Sequence, residues 1–170
     1  SDDGERLYVS DPMQHAVFTF DFRKKSFSKI EIGAPGGIAL DAQENLHVVD
    51  IGKKSIVVYG RDGKMSNEFT DPTLERPLGL AIDRVNGKIY LVDTGARESK
   101  AHNVKIYSLQ GKPLGALGGA PGGDLGKFSY PTFVCVDDKG NVYVSDTMNG
   151  RVQKFDSNGK FLTHFGQMGT

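Results

Sequence analysis

The chain has no tryptophan and a single cysteine, Cys135, among its 170 residues. One thiol cannot close an internal disulfide, so no disulfide framework holds this fold together. Neither charge sign is in excess: Lys plus Arg and Asp plus Glu are both 21, for a formal net charge of zero. A dominant nucleic-acid footprint would show as a basic surplus, and there is none. Apolar runs are short, far below the ~20 residues that a membrane-spanning helix needs. No segment keeps a helical apolar period, which predicts a chain with almost no helix. What is abundant is glycine, 22 residues placed between short apolar runs.

Those runs repeat. RLYVSD ends at Asp11, LHVVD at Asp50, IYLVD at Asp93 and VYVSD at Asp146. Asp11 to Asp50 is 39 residues, Asp50 to Asp93 is 43 and Asp93 to Asp146 is 53. A period near forty residues made of short strands is the signature of a repeat architecture, most often a propeller. Each unit cannot bury its apolar faces alone, so the units must stack and leave function to their loops.

The last unit is the clearest. An apolar run from Pro131 to Asp137 meets the turn Asp138-Lys139-Gly140-Asn141, then Val142 to Asp146, the link Thr147 to Gly150, and Arg151 to Asp156. Ser157-Asn158-Gly159-Lys160 turns the chain into Phe161 to Phe165. Asn-Gly between strand-like runs is a strong hairpin signal. This unit therefore reads as a four-stranded antiparallel meander. The same plan gives an all-β propeller with units over approximately 1–33, 34–74, 75–119 and 128–170. The first unit lacks its first strand, so the chain amounts to about 3.75 blades.

Columns align across units. Tyr8, His47, Tyr90 and Tyr143 share one position of the second strand, and Val17, Ile56, Val104 and Val152 open the third. His47 is expected to be a packed histidine in an aromatic column. Asp11, Asp50, Asp93 and Asp146 are expected to cap the following turns, because a short carboxylate accepts backbone N–H groups there. Cys135 aligns with Ala39 and Ala81 and is expected to be buried and inert.

In the stretch Pro131 to Gly166 the chain resembles the NHL-repeat family. The resemblance rests on Pro-x-x-x-x-x-Asp, then Gly-Asn-Val-Tyr-Val-Ser-Asp-Thr-x-Asn-x-Arg-Val-Gln-x-Phe, then Asn-Gly-Lys-Phe and Phe-Gly. Lys53-Lys54-Ser55 replaces the Asn-x-Arg piece in the second unit, and a longer loop from Gly95 to Asn103 replaces it in the third. The resemblance implies a propeller of commonly six blades, whose first strands line a central channel. It also implies that partners use the rim carrying the links between second and third strands and between blades. That rim would hold Gln14, His15, Lys53, Lys54, Arg97, Glu98, Lys100, His102, Asn149 and Arg151, with the insertion Gly95 to His102 its most prominent element.

The resulting expectation is a non-catalytic binding or scaffold module, its partner a protein or the remaining blades of the same ring. Part of a propeller hydrolase or lyase with a channel metal is the alternative. The expected channel mouth, Gly36, Gly37, Leu78, Gly79, Thr132 and Phe133, offers no good metal ligand. No metal, cofactor or catalytic residue is therefore expected. RNA binding is disfavoured because rim bases Lys53, Lys54, Arg97 and Lys100 sit near acids Asp71, Glu75, Glu98 and Asp124. The repeat-only character of the chain suggests a location outside the cytoplasm.

Overall fold

The computed structural model describes residues 1, 3–96, 98–99 and 102–166. Fifteen strands form four antiparallel sheets, each in simple meander order. Blade 1 has three strands: β1 (Arg6–Asp11), β2 (Ala16–Asp21) and β3 (Ser26–Glu31). Blade 2 comprises β4 (Pro35–Leu40), β5 (Leu46–Asp50), β6 (Ser55–Tyr59) and β7 (Met65–Thr70). Blade 3 comprises β8 (Pro77–Asp83), β9 (Lys88–Asp93), β10 (His102–Ser108) and β11 (Pro113–Gly119). Blade 4 comprises β12 (Pro131–Val136), β13 (Val142–Asp146), β14 (Arg151–Phe155) and β15 (Phe161–Phe165). Among the described residues the only helix is one 3₁₀ turn, Thr147–Asn149.

Turn chemistry sets these boundaries. Between first and second strands, Asp41, Asp83 and Asp137 each accept two backbone N–H groups of their own turn, such as Lys139 and Asn141 onto Asp137 Oδ1. Between third and fourth strands, Gly63, Gly111 and Gly159 take φ of 81°, 87° and 84°. That left-handed conformation carries no Cβ penalty at glycine. It explains why the sequence spaces glycine as it does.

The core lies between sheets rather than inside one. Leu46 and Val48 of β5 pack back onto Val17 and Ile32 of blade 1. Val49, Ile56 and Val58 pack forward onto Leu80, Ile89, Leu91 and Tyr107 of blade 3. Tyr90, Val92 and Val104 of blade 3 meet Val134, Val142, Val144 and Phe155 of blade 4, with Phe128 of the inter-blade link sealing the edge. Blades 2 and 3 are thus covered on both faces, and β5 is buried at every residue. Two-sided burial accounts for the near-continuous apolar runs where half-buried strands would alternate. At about 1.5–3 kcal/mol per fully buried aliphatic or aromatic side chain, the smaller interface of blade 1 makes it the first to open.

The innermost strands approach one another closely. Each carries a two-residue irregularity, between Pro35 and Ile38, Pro77 and Leu80, and Pro131 and Val134. A Cβ on Gly37 would lie 2.6 Å from Leu80 N, and one on Gly79 would lie 2.7 Å from Thr132 O. Glycine at these positions lets neighbouring blades touch backbone to backbone.

Two expectations require correction. Cys135 is exposed. Ala81 in the same column is covered by blade 4, whereas Cys135 looks out from the face of blade 4 turned away from blade 3. Desolvation and the charge of Asp137 push its thiol pKa up, which keeps it a poor nucleophile. His102 is not a loop residue: it opens β10 and is buried.

Candidate functional site

Among the described residues one rim gathers the links between second and third strands, 12–15, 51–54, 94–96 with 98–99, and 147–150, with the inter-blade links 32–34, 71–76 and 120–130. The four repeated aspartates organise it. Asp11 Oδ1 accepts the amides of Met13 at 2.9 Å and Gln14 at 3.0 Å. Asp50 Oδ1 accepts those of Gly52 at 3.1 Å and Lys53 at 3.2 Å. Asp93 Oδ1 accepts Gly95 N of its own link at 3.4 Å, and the carboxylate also reaches to the inter-blade link, where Oδ1 accepts Arg76 N at 2.7 Å and Oδ2 accepts Glu75 N at 3.0 Å.

Asp146 is the most elaborated copy and is wholly buried. Its Oδ1 accepts Ser129 N at 2.7 Å, and Oδ2 accepts Arg151 Nε at 2.8 Å and Gln153 Nε2 at 2.9 Å. Asn149 Nδ2 lies 2.9 Å from both carboxylate oxygens and donates to Gly122 O at 3.0 Å. Arg151 and Gln153 both donate onward to Lys127 O. The motif Asp-x-x-Asn-x-Arg-x-Gln is therefore a clamp between the link 120–130 and its blade. A buried charge needs this degree of pairing.

The other rim candidates fall into separate environments. Asn149 and Arg151 commit their donors to the clamp, and His102 accepts Tyr130 N at its Nδ1, 3.0 Å away. Gln14, His15, Lys53 and Lys54 are exposed on the rims of blades 1 and 2. His15 holds Gly33 O at 2.6 Å through Nδ1, and Lys53 Nζ lies 3.9 Å from Glu68 Oε1. His15 and Lys54 occupy left-handed backbone, φ 51° and 53°, where blade 4 has Gly150 at 62°. Arg97 and Lys100 lie outside the described residues; next to them, Ala96 N donates to Glu75 Oε2 at 2.8 Å. That bond leads the influences that lower the Glu75 pKa.

Several groups escaped sequence reasoning. Asp71, on the link to blade 3, accepts Tyr107 Oη at 2.7 Å and pairs with Lys105 Nζ at 3.3 Å. Burial would raise its pKa, but hydrogen bonds from Thr73 and Tyr107 and the Lys105 charge hold it at about 2. His47 Nε2 lies 3.1 Å from Asp41 Oδ2 deep between blades 2 and 3, and desolvation lowers its pKa despite that carboxylate. It stands where Tyr143 donates to Asp137 in blade 4, so the column recurs with a changed donor. Ser10 and Ser145 hydroxyls bond to the innermost strand of a blade, at Gly36 O and Phe133 N. Among the described residues no three His, Cys, Asp or Glu side chains converge as a cation site would require.

Curved stacking of four-stranded meanders with clamped links defines a β-propeller. The NHL repeat profile matches residues 128–155, the segment that contains the Asp146 clamp. The chain belongs to the NHL-repeat family of propellers. It is 28% identical over 158 residues to Protein brain tumor of Drosophila melanogaster, covering 90% of this chain and 14% of that protein. It is 34% identical over 116 residues to a probable peptidyl-alpha-hydroxyglycine alpha-amidating lyase of Caenorhabditis elegans, covering 66% of this chain and 31% of that protein. The chain thus spans less than a third of the length of either relative. Among solved structures, a streptogramin B lyase superposes with TM-score 0.76 at 15% identity, over 98% of this chain and 52% of that one. Kuenenia stuttgartiensis hydrazine synthase gives 0.77 at 16% identity, over 98% and 47%. At such identities the likeness concerns the fold. No helix among the described residues is long and apolar enough to cross a membrane.

Proposed function

We propose that this chain is part of a non-catalytic propeller module that recognises a protein partner through its rim loops, around Gln14, His15, Lys53 and Lys54. The observation that carries this reading is the carboxylate clamping of the rim. Asp11 and Asp50 fix the amides of the loops that present these exposed polar side chains. Loops held on a rigid scaffold lose little entropy on binding, which favours recognition. His15 and Lys54 also take the same left-handed backbone, φ 51° and 53°, at matching points of their loops, a conformation that a non-glycine residue adopts at a cost. Arg97, Lys100, His102, Asn149 and Arg151 belong to the same proposed rim, the last three shaping it from within.

Affinity capture from cells of the source organism tests this reading. Three proteins are compared: the native chain, a rim variant with Gln14, His15, Lys53 and Lys54 all replaced by Ala, and an opposite-rim variant with Arg23, Lys24 and Lys25 replaced. The expected result is a protein retained by the native chain and the opposite-rim variant, lost from the rim variant, and released by salt. Identical capture by all three would remove the rim assignment.

A second reading, part of a propeller lyase, is favoured by the 34% identity to the amidating lyase. Turnover of a peptidyl-α-hydroxyglycine substrate by this chain would favour it over the first.

A further inference from the structure

A cleft of about 390 Å³ opens between blades 1 and 2, on the rim opposite the clamped loops. Its walls are Tyr8, Thr19, Asp21 and Ser28 of blade 1, and Tyr59 with the Gly60–Gly63 turn of blade 2. Register explains why the interface is open here. Thr19 pairs with Tyr8, Val58 with His47 and Ile106 with Tyr90, so Thr19 stands where the next blades carry Val58 and Ile106. Beside it Ser28 faces Thr19 across the strand pair. Blade 1 thus brings hydroxyls to an interface that blade 2 closes with an aliphatic side chain.

The chemistry of the walls selects a ligand. No hydrogen bond among the described residues engages the hydroxyls of Thr19, Ser26 or Ser28, all of which line the cleft. The two arginines of the cleft are already paired: Arg6 Nε lies 3.5 Å from Asp21 Oδ2, and Arg61 Nη2 donates to Asp3 Oδ2 at 2.6 Å, which leaves the exposed Lys24 as the one lining cation outside an ion pair among the described residues. Arg6 Nη1 also donates to Arg61 O at 2.6 Å, which ties the two blades across the cleft. A cation would have to compete with the arginines for Asp21, and an anion would find only the exposed Lys24 while facing the carboxylates of Asp21 and Asp62. A neutral ligand rich in hydroxyls meets Thr19, Ser26, Ser28 and the Asp21 carboxylate without disturbing the ion pairs. Tyr8 and Tyr59, with Leu46 and Ile30 behind, supply the apolar surface on which one face of a ring can lie. The volume falls within the range of about 300–1,000 Å³ usual for small-molecule sites.

We propose that this cleft binds a neutral pyranose sugar, with its C–H face against the tyrosines and its hydroxyls on the Thr19–Ser28 wall. The proposal is independent of the rim reading, because it uses the opposite edge of the arc.

The test is saturation-transfer NMR on the full chain with D-glucose, D-galactose, D-mannose and N-acetyl-D-glucosamine, and with glycine and inorganic phosphate as charged probes. At least one sugar should receive saturation at its ring protons, and neither charged probe should displace it. Thr19→Val and Tyr59→Ala should each weaken that binding by about tenfold, the usual scale for losing one hydrogen bond or one ring contact. Ser28→Trp fills the cleft from an exposed strand position and should abolish binding while leaving the melting temperature near that of the native chain. Lys53→Ala, on the far rim, should change nothing. The proposal fails if none of the four sugars receives saturation. It also fails if binding survives Ser28→Trp, or if glycine or phosphate displaces the sugar.

Discussion

Replacing Asp146 with Ala should destabilise the chain by about 3–5 kcal/mol, the range for removing one partner of a buried charge pair. The carboxylate is wholly buried and holds Arg151 Nε, Gln153 Nε2, Asn149 Nδ2 and the Ser129 amide. Its removal strands a guanidinium with an exposure of only 10% and frees the link that carries Phe128 into the core. Asp11→Ala is the matched comparison, since Asp11 is half-exposed and caps only two turn amides. That change should cost about 1 kcal/mol, as loss of a turn cap does. Denaturant titration of the two variants gives the contrast. Equal losses would mean that the buried clamp contributes no more than an ordinary turn.

The second large effect is expected at Gly79. An added Cβ would stand 2.7 Å from Thr132 O and 3.0 Å from Phe133 Cα. Both are backbone atoms of the neighbouring blade, so no side chain can rotate away. The innermost strands of blades 3 and 4 must separate, and Gly79→Ala should cost about 3 kcal/mol, the upper end of ordinary overpacking. Gly33→Ala is the control, because its Cβ would find nothing nearer than Asp50 Oδ2 at 3.8 Å. That substitution should stay within about 0.5 kcal/mol of the native chain, as most unstrained surface changes do. If Gly79→Ala melts with Gly33→Ala, the blades do not meet as described.

The strand order was readable in the sequence because turn residues punctuate it. Asp-x-x-Gly and Asn-Gly mark the hairpins, and the Tyr8, His47, Tyr90, Tyr143 column fixes the register between units. Less readable was which face of a blade is covered. Cys135 and Ala81 are equivalent in sequence and opposite in exposure, since coverage depends on the neighbouring sheet and not on the strand. The clamp was visible as a motif but not as a clamp. Asn149 and Arg151 look like free rim side chains until Gly122, Asp124 and Lys127 come round to accept from them. His102 was misplaced for a related reason: β10 begins earlier than its apolar core, because Tyr130 of the next link covers it. The cleft had no local signal at all, because Thr19 and Tyr59 are brought together only by the stacking of blades.

The central claim is that repeated carboxylates hold the rim rigid enough to present its side chains. Hydrogen–deuterium exchange at single-amide resolution tests it most directly, at Met13, Gln14, Gly52 and Lys53. The account predicts exchange at least about tenfold slower than in a free peptide, with Asp50→Ala releasing Gly52 and Lys53 while Met13 and Gln14 stay protected. Free-peptide exchange at all four amides in the native chain would contradict it.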